Sequence, residues 1–466
     1  MKIINGQNIA HRATPRRRGK SILPSVQMLL ILIIIFGAWL RFDAAVNTVV
    51  EHPIRADAGR YVAYAYNMNH WNTYSLDPLF RSPATSEKPE PDAIGNPGYP
   101  AFLSLVLGQS EPDWAFVKKV ILLQALIGTL AIPLTFVIGA RLMPPYWALT
   151  PSILAAISPK LIISGTYVLT ESIFTALLLA SLAWIIVKTK AQHILCSALI
   201  GGLLLATTAL VRPTTQYVVP FILIAVLPML SKAQRWKYSM GMIIGFLILT
   251  TPWMLRNIIA TGHSSDSTMT ISALVHGHYP NTMYDSRPET YGYPYRFDPK
   301  VAEISQSVPH AIEGIAGRIS ESPGKYLSWY LLGKPITFLS WQDPAAVDGI
   351  FTYPTLRTPY QSSKLFKTTL VVMESTHWLW VILALMVTIC SLLPQATSKI
   401  PSNQLVGLRI CAMTIIYFLL VHAAGFPIAR YHIPLLPVIF ILATYALFAT
   451  SQRIAGRQKN PPKVKL

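Results

Sequence analysis

Residues 22–40 of this 466-residue chain read ILPSVQMLLILIIIFGAWL, an apolar run that contains no charged side chain. A helix of about 20 such residues is long enough to cross the hydrocarbon core of a bilayer. The run follows a basic stretch, and no small-residue cleavage site comes after it. We therefore expect a retained membrane anchor rather than a signal peptide.

Nine further stretches have the same character, although several are short or are interrupted by proline or glycine. The ten predicted spans are 22–40, 116–140, 147–164, 171–187, 194–211, 215–230, 238–255, 369–393, 405–424 and 433–450. The composition agrees, because 52% of the residues are hydrophobic and only 13% are charged, whereas about a quarter of a soluble domain is charged. The predicted fold class is an all-α polytopic membrane protein with about 10 transmembrane helices and two long extracytoplasmic loops.

The net charge of +19 lies on one side of this topology. With the N-terminus in the cytoplasm and an alternating chain, the cytoplasmic segments hold 19 basic residues and no acidic ones. The other 20 bases and all 20 acids fall outside, as the positive-inside rule requires. This predicts a multi-pass protein of the inner (plasma) membrane with both termini cytoplasmic. The charge excess then no longer indicates nucleic acid, and no nucleic acid partner is predicted.

This topology divides the chain into successive parts with different surroundings. They are a cytoplasmic basic N-terminus (1–21), a transmembrane module (22–255) that contains the first extracytoplasmic loop (41–115), a large extracytoplasmic loop (256–368), C-terminal transmembrane helices (369–450) and a cytoplasmic basic tail (451–466). Loops of this length are uncommon unless they carry a function. We therefore expect the chemistry on the extracytoplasmic face.

The first loop contains a predicted amphipathic helix, DAGRYVAYAYNMNHW (57–71). Asp57, Arg60 and Tyr61 share one face of it, because residues three and four apart are neighbours on a helix. A carboxylate at a membrane boundary can act as a general base for a hydroxyl. Aspartate is also a favoured N-cap residue, so Asp57 has a structural role open to it as well, and the two roles are compatible.

Other ionisable residues stand at the predicted extracytoplasmic ends of spans. Glu171 begins the fourth span, and it is either a functional carboxylate or a helix-start acid capped by Thr170. Arg212, Arg256 and Arg430 lie at the same boundary. A guanidinium binds phosphate with two parallel hydrogen bonds, although a single arginine at such a boundary often only snorkels to water.

The remaining reactive residue types give weaker signals. The cysteines Cys196, Cys390 and Cys411 fall in apolar runs, so we expect buried thiols and neither a disulfide framework nor a zinc site. His276 and His278 form the closest histidine pair, but no third ligand is near them in sequence, and no metal site of the zinc type is predicted. The sequence also contains no phosphate-binding glycine loop and no G-x-S-x-G elbow.

Five segments resemble, in the same order, motifs of the polytopic GT-C glycosyltransferases. The resemblance is to the bacterial branch related to protein O-mannosyltransferases and lipid A aminoarabinose transferases, glycosyltransferase family 39-like. The segments are RADAGRYVAYAYN (55–67, first-loop acidic motif), NPGYPAFLSL (96–105, proline-rich re-entry segment), SGTYVLTESIFTALLLASL (164–182, second acidic segment), TPWMLRNIIATG (251–262) and ARYHIPLLPVIFIL (429–442). They cover most of the membrane part, whereas the stretch 263–368 has no counterpart.

One position departs from the family pattern. Related aminoarabinose transferases carry Glu-Lys directly before the prolines of the re-entry segment, where this chain has Gly95 and Asn96. A Glu-Lys-Pro sequence with Lys88 at its centre lies eight residues earlier. Lys88 is therefore the candidate phosphate ligand of this loop.

The resemblance implies inverting transfer of a sugar from a polyprenyl-phosphate donor to an acceptor hydroxyl. Asp57 would be the general base, and Glu171 would orient the acceptor or a water, or share a divalent cation with Asp57. The implied ligands of the donor phosphate are Arg60, Tyr61, Lys88, Arg256, Arg430 and His432. That divalent cation is the one candidate cofactor. The implied partners are the polyprenyl-phosphate-linked sugar, the membrane lipid bilayer and a glycan, lipid or protein acceptor.

Two other classes of membrane protein remain open at this point. A transporter or flippase usually has internal repeats and ionisable groups near the bilayer midplane, whereas this sequence has no repeat and its acids lie at boundaries. A polymerase or ligase of surface polysaccharide shares the large outer loop but should lack the D-x-x-R-Y motif of the first loop.

Overall fold

The computed structural model describes residues 24–77, 87–189, 192–341, 354–398 and 400–459. The predicted basic N-terminus and the end of the basic tail lie outside the described residues, as do Lys190 and Lys399 among the predicted cytoplasmic bases. Within those ranges the secondary structure is helical apart from one two-stranded sheet. This confirms the predicted all-α class.

The first half of the described chain, up to residue 261, consists of helices joined by short turns and by the first loop. These are α1 (Pro24–Asn47), α2 (Ala56–Trp71), α3 (Gly98–Leu107), α4 (Trp114–Thr129), α5 (Ala131–Leu142), α6 (Pro145–Ile157), α7 (Pro159–Ile163), α8 (Glu171–Lys188), α9 (Ile194–Val211), α10 (Val218–Val226) and α11 (Lys232–Thr261). Helix α2 begins one residue before the helix that the sequence predicts in the first loop. It therefore confirms that prediction.

The large loop contains mostly short helices and a strand that returns to the first loop. Its elements are α12 (Thr268–Gly277), α13 (Val301–Ile304), α14 (Val308–Glu321), α15 (Pro323–Ser328), a π-helical turn (Trp329–Gly333), α16 (Lys334–Leu339), β2 (Thr355–Arg357) and α17 (Pro359–Ser362). Strand β2 pairs antiparallel with β1 (Val49–Val50), which directly follows α1. The two loops are thus joined by backbone hydrogen bonds.

A small core of its own supports the large loop. Tyr279 packs there with apolar side chains, and its hydroxyl donates a hydrogen bond of 2.6 Å to Asp298. Arg318 of α14 forms an ion pair with the same carboxylate. Burial raises the pKa of Asp298, but the hydrogen bonds from Tyr279 and Arg318 outweigh burial and hold this pKa below its usual value. Asp298 therefore links α14 to the turn before α13 as an ionised group.

Three long helices close the chain after the large loop. The elements are α18 (Lys364–Leu392), α19 (Pro394–Thr397), α20 (Ser402–Ala424), a 3₁₀ turn (Ala429–Leu435) and α21 (Leu436–Lys459). Most of α20 is buried, as is the segment from the 3₁₀ turn through the apolar part of α21. Helices α20 and α21, together with α5 and α8, form the centre of the bundle.

Eight helices of the described ranges are long and apolar enough to cross a membrane, and the bent pair of α6 and Pro159–Thr166 is a ninth candidate. Helices α4 and α5 count together as one candidate of 29 residues. These nine candidates coincide with nine of the ten predicted spans. The chain is therefore a multi-pass membrane protein.

The remaining predicted span, 215–230, contains a shorter helix. Its helical part, Val218–Met229, covers about 18 Å at 1.5 Å per residue, compared with about 30 Å for a bilayer core. Helices α9 and α11 nevertheless run parallel, because Leu195 faces Gly241 and Leu199 faces Gly245. Two parallel neighbours require a connection that returns the chain, and α10 lies on that connection.

The prediction of three buried cysteines is wrong for two of them. Cys196 on α9 and Cys390 on α18 are exposed, whereas Cys411 on α20 is buried, and all three are free thiols. Lipid tails are as apolar as a protein core. An apolar run therefore does not reveal which of its residues face lipid.

The close packing of α9 and α11 predicts opposite effects of one substitution at two glycines. A Cβ at Gly245 would collide with the carbonyl of Leu199, whereas a Cβ at Gly317 of α14 meets no atom within 4 Å. We expect Gly245→Ala to destabilise the protein by about 1–3 kcal/mol through overpacking. Gly317→Ala should stabilise α14 by up to about 1 kcal/mol, because alanine is the better helix former.

Thermal unfolding of both variants in the same detergent measures this difference. The melting temperature of Gly245→Ala should fall, and that of Gly317→Ala should stay level or rise. An unchanged melting temperature for Gly245→Ala would contradict the backbone contact between α9 and α11.

Candidate active site

Helix α2 presents the first-loop motif at one end of the bundle. Its N-cap is Arg55, and Asp57 lies in its first turn. Asp57 is therefore not the N-cap residue that the sequence allowed. Its carboxylate oxygen Oδ2 instead accepts a hydrogen bond of 2.7 Å from Nη2 of Arg430.

Glu171 is the first residue of α8, and only 2% of its side chain is exposed. Thr170 forms no side-chain hydrogen bond that would cap this helix. The Oε1 atom of Glu171 lies 3.4 Å from Nη1 of Arg212 and 3.3 Å from Nε of Arg430. Two guanidinium groups thus compensate the charge of a carboxylate that is almost fully buried.

Arg430 connects the two carboxylates. It belongs to the 3₁₀ turn that leads into α21, and 15% of its side chain is exposed. Its guanidinium pairs with Asp57 of α2 through Nη2 and with Glu171 of α8 through Nε. Residues that are far apart in the sequence therefore meet around one side chain.

Arg212 completes this group of four side chains, which we call the Asp57 cluster: Asp57, Glu171, Arg212 and Arg430. Arg212 is the C-cap of α9, and its guanidinium lies 4.5 Å from the ring centre of Tyr431. Stacking on an aromatic ring fixes the plane of a guanidinium. The cluster holds two acidic and two basic groups, so its formal charges balance.

The two carboxylates of the cluster differ in their access to solvent. The side chain of Asp57 is 32% exposed, compared with 2% for Glu171. Burial raises the pKa of Asp57, but the charge and the hydrogen bond of Arg430, with smaller contributions from two other arginines, hold this pKa below its usual value. Asp57 is thus an ionised and accessible carboxylate. Glu171, in contrast, is buried beside Arg212 and Arg430.

Tyr61 lies one helical turn after Asp57. Burial raises the pKa of its phenol, which is therefore neutral. The ring packs edge-on against Tyr99 of α3 at 5.0 Å between ring centres, and the hydroxyl of Tyr99 donates to Gln124 of α4 at 2.5 Å. The amide of Gln124 donates in turn to the carbonyl of Tyr167 at 2.7 Å. This chain of contacts ties α2, α3 and α4 to the turn before Glu171.

The re-entry segment packs against the end of α9, next to Arg212. The side-chain amide of Asn96 donates to the carbonyl of Ala209 at 2.7 Å, and a Cβ at Gly98 would lie 2.8 Å from the carbonyl of Leu210. An amide side chain at position 96 and glycine at position 98 therefore suit the packing of this segment against α9. Lys88 is exposed, and among the described residues no contact joins it to the Asp57 cluster.

Two further predicted phosphate ligands contact the loops. Arg256 of α11 donates to the backbone carbonyls of Asp92 and Tyr74, and its guanidinium stacks near the ring of Tyr74. These bonds fix Arg256 to the first loop. The guanidinium of Arg60 lies 3.0 Å from the sulfur of Met269 in α12, and a thioether is a weak acceptor.

His432 contacts a different set of groups from Arg430, although only one residue separates them. Its Nδ1 lies 2.6 Å from the carbonyl of Phe338, and its Nε2 lies 3.3 Å from Nζ of Lys160. The rings of His432 and His377 are 5.6 Å apart. Lys160 is not among the site residues that the sequence predicted. An ionisable residue inside the apolar run 147–164 was the signal that could have identified it.

No protein-family model and no curated protein matches this sequence. Solved structures match it by fold. The archaeal oligosaccharyltransferase AglB from Archaeoglobus fulgidus, in complex with an inhibitory peptide and a dolichol-phosphate, aligns with a TM-score of 0.50 at 13% identity, over 95% of this chain and 53% of that chain. The Archaeoglobus fulgidus oligosaccharyltransferase tethered with an acceptor peptide aligns with a TM-score of 0.50 at 13% identity, over 94% and 51%.

ArnT from Cupriavidus metallidurans, bound to undecaprenyl phosphate, aligns with a TM-score of 0.39 at 12% identity, over 94% of this chain and 81% of that chain. The present chain spans about half the length of the oligosaccharyltransferases that it matches. At such identities the likeness concerns the fold alone. The chain therefore shares the fold of these oligosaccharyltransferases, in agreement with the GT-C fold that its five motif segments predicted.

Proposed function

We propose that this protein is an integral membrane glycosyltransferase. It transfers a sugar from a polyprenyl-phosphate donor to an acceptor hydroxyl on the extracytoplasmic face of the membrane, with inversion. The supporting observation is the Asp57 cluster, in which an accessible carboxylate lies beside guanidinium groups at the ends of membrane helices. Three of the segments that resemble family motifs, 55–67, 164–182 and 429–442, supply members of this cluster.

The proposed reaction is a single displacement at the anomeric carbon of the sugar. Asp57 accepts the proton of the acceptor hydroxyl while the acceptor oxygen forms a bond to that carbon. The bond from the carbon to the phosphate oxygen breaks, and the phosphate keeps the electron pair. Because attack and departure occur on opposite faces, the configuration inverts. Asp57 ends protonated, and the polyprenyl phosphate gains one negative charge.

Guanidinium groups near Asp57 would stabilise that developing charge. Arg60 is the best placed, because it lies one helical turn from Asp57 and its contact with Met269 is weak. The neutral phenol of Tyr61 is suited to donate a hydrogen bond to the phosphate. Arg256 and Lys88 belong to the same proposal, although Arg256 must exchange its backbone partners for the phosphate. His432 is the weakest predicted ligand, since Phe338 and Lys160 already engage both of its nitrogens.

A groove for the lipid tail of the donor is proposed along α11, which ends near Arg256. Much of this helix does not pack against the rest of the protein. Its exposed apolar side chains include Ile244, Leu247, Ile248, Leu255, Ile258 and Ile259. The dolichol-phosphate in the oligosaccharyltransferase of similar fold supports a polyprenyl-phosphate donor for this chain.

The direction of the helices supports an extracytoplasmic site. Helix α8 runs from Glu171 at the cluster to Lys188 at its other end, and α11 begins at Lys232. Basic residues thus lie at the ends that are remote from the Asp57 cluster. By the positive-inside rule those ends face the cytoplasm, and we therefore assign both termini to that side.

A transfer assay in proteoliposomes tests the proposal. Purified protein is supplied with a panel of polyprenyl-phosphate sugars and acceptors, and the release of free polyprenyl phosphate is followed. We expect release with one donor class, and its loss when Asp57 is replaced. Folded protein that releases nothing from any pair but exchanges the intact lipids across the bilayer would instead be a flippase.

A further inference from the structure

Arg430 lies where a divalent cation shared by Asp57 and Glu171 would have to bind. We propose that its guanidinium takes the place of such a cation, and that the Asp57 cluster binds no metal ion. The role of Arg430 in transfer rests on the proposed function. The statement about metal binding does not, because it concerns the geometry of the cluster alone.

The first support is the position of the guanidinium. Its Nη2 lies 2.7 Å from Oδ2 of Asp57, and its Nε lies 3.3 Å from Oε1 of Glu171. A Mg²⁺ ion binds carboxylate oxygens at about 2.0–2.1 Å and keeps several water molecules. Such an ion between these oxygens would overlap the guanidinium. Arg430 would have to leave both of its carboxylates before the ion could bind.

The second support is the charge of the cluster. Arg212 also pairs with Glu171, at 3.4 Å, so two guanidinium groups already balance the two carboxylates. A divalent cation would add two positive charges beside two arginines that are 12% and 15% exposed. Like charges at such distances repel strongly when little water screens them.

The third support is the set of possible ligands. Within the described ranges, no group of three or more histidine, cysteine, aspartate or glutamate side chains is arranged so that it could hold a metal ion. The Oε2 atom of Glu171 has no hydrogen-bond partner, but it is buried. A hydrated ion would therefore reach Asp57 without reaching that oxygen. These residues fit a guanidinium bridge, and they do not fit a divalent cation.

In the proposed reaction this arrangement gives Arg430 two successive roles. Before transfer it holds Asp57 in the ionised form that accepts a proton. After the proton arrives, the carboxylate of Asp57 is neutral, and the negative charge appears on the departing phosphate. Arg430 then no longer has an anionic partner at Asp57, and in this proposal it pairs with the new negative charge on the departing phosphate. It is thus a positioning residue that becomes a phosphate ligand.

Binding of Mn²⁺ to the full-length protein in lipid nanodiscs tests the proposal, with paramagnetic resonance as the readout. We expect the wild type to bind no more Mn²⁺ than its Asp57→Asn variant. Arg430→Ala should gain one Mn²⁺ site, because it removes the bridging group and leaves two carboxylates. The gained site should disappear when Asp57→Asn is added to Arg430→Ala.

One stoichiometric Mn²⁺ in the wild type that is lost in Asp57→Asn would overturn the proposal. The comparison of the wild type with Asp57→Asn tests the proposal even if Arg430→Ala fails to fold. In the transfer assay, a chelator should change the wild-type rate by less than about twofold, whereas a metal-dependent site would lose most of its rate. Absence of transfer with every donor would count against the proposed function and would leave the Mn²⁺ result valid.

Discussion

Replacing Asp57 with asparagine is expected to lower the rate of sugar transfer about 10²–10⁴-fold, the usual contribution of a general base. Asparagine keeps the size of the side chain and an oxygen that accepts a hydrogen bond from Arg430. It has no carboxylate, however, and so cannot take the proton of the acceptor. The loss corresponds to about 3–5 kcal/mol of activation free energy. Initial rates of polyprenyl phosphate release in proteoliposomes measure it.

Asp43→Asn is the matched control for this variant. Asp43 lies near the end of α1 and accepts a hydrogen bond of 3.1 Å from Asn47, so the same change there leaves the Asp57 cluster intact. Asp43→Asn should transfer sugar at nearly the wild-type rate. If equally well folded Asp57→Asn protein keeps activity within about tenfold of wild type, this result would contradict the assignment of Asp57 as the base.

The pH dependence of wild-type transfer gives a second test of the same assignment. The base form of Asp57 exists above its pKa and is lost as the pH falls through that pKa. Because arginines hold the pKa below the usual value of 3.8, the rate should not fall on account of Asp57 between neutral pH and about pH 5. An acid limb in that interval would indicate a different base, provided that the protein remains folded.

The sequence pointed to the charged residues of this candidate site, but it did not predict which of them form ion pairs with each other. Glu171, Arg212 and Arg430 each stand out as charged residues at the end of an apolar run, where a charge needs a reason. Asp57 stands out at the start of the predicted amphipathic helix in the first loop. Their pairing was not predictable, because Asp57 and Arg430 are 373 residues apart. Only the packing of α2, α8, α9 and the 3₁₀ turn before α21 determines which acid meets which arginine.

The sequence also grouped His432 with Arg430, and here local geometry gives a different answer. Both residues lie in a 3₁₀ turn, which has about three residues per turn, so positions two apart point to different sides. Arg430 contacts Asp57, whereas His432 contacts Phe338 and Lys160. A motif written as R-Y-x-x-P does not carry this difference in direction.

Replacing Arg430 with methionine is expected to lower transfer about 10²–10³-fold, comparable with the loss of one preorganised donor from an oxyanion site. Methionine resembles the aliphatic stem of arginine in size and packs well in apolar surroundings. The substitution therefore removes the charge and the hydrogen bond while it preserves much of the packing. Rates in the proteoliposome assay measure the loss, and thermal unfolding confirms that the protein is folded.

The same variant should also move the acid limb of the pH profile upward. Burial favours the neutral form of Asp57, and Arg430 is the strongest of the groups that oppose burial. Without it the pKa of Asp57 rises, so the base form is lost at a higher pH as the pH falls. A residue that only supported the fold would change the rate or the stability without moving this limb.

Arg430→Lys separates the charge of this residue from its geometry. Lysine keeps one positive charge near Asp57, so the acid limb should stay close to the wild-type position. Its single ammonium group lacks the planar fork of a guanidinium and cannot reproduce the contacts of Nη2 and Nε with two carboxylates. The rate should therefore remain well below wild type. Full activity of Arg430→Lys would mean that charge alone suffices and that the bridge between Asp57 and Glu171 is not needed for transfer.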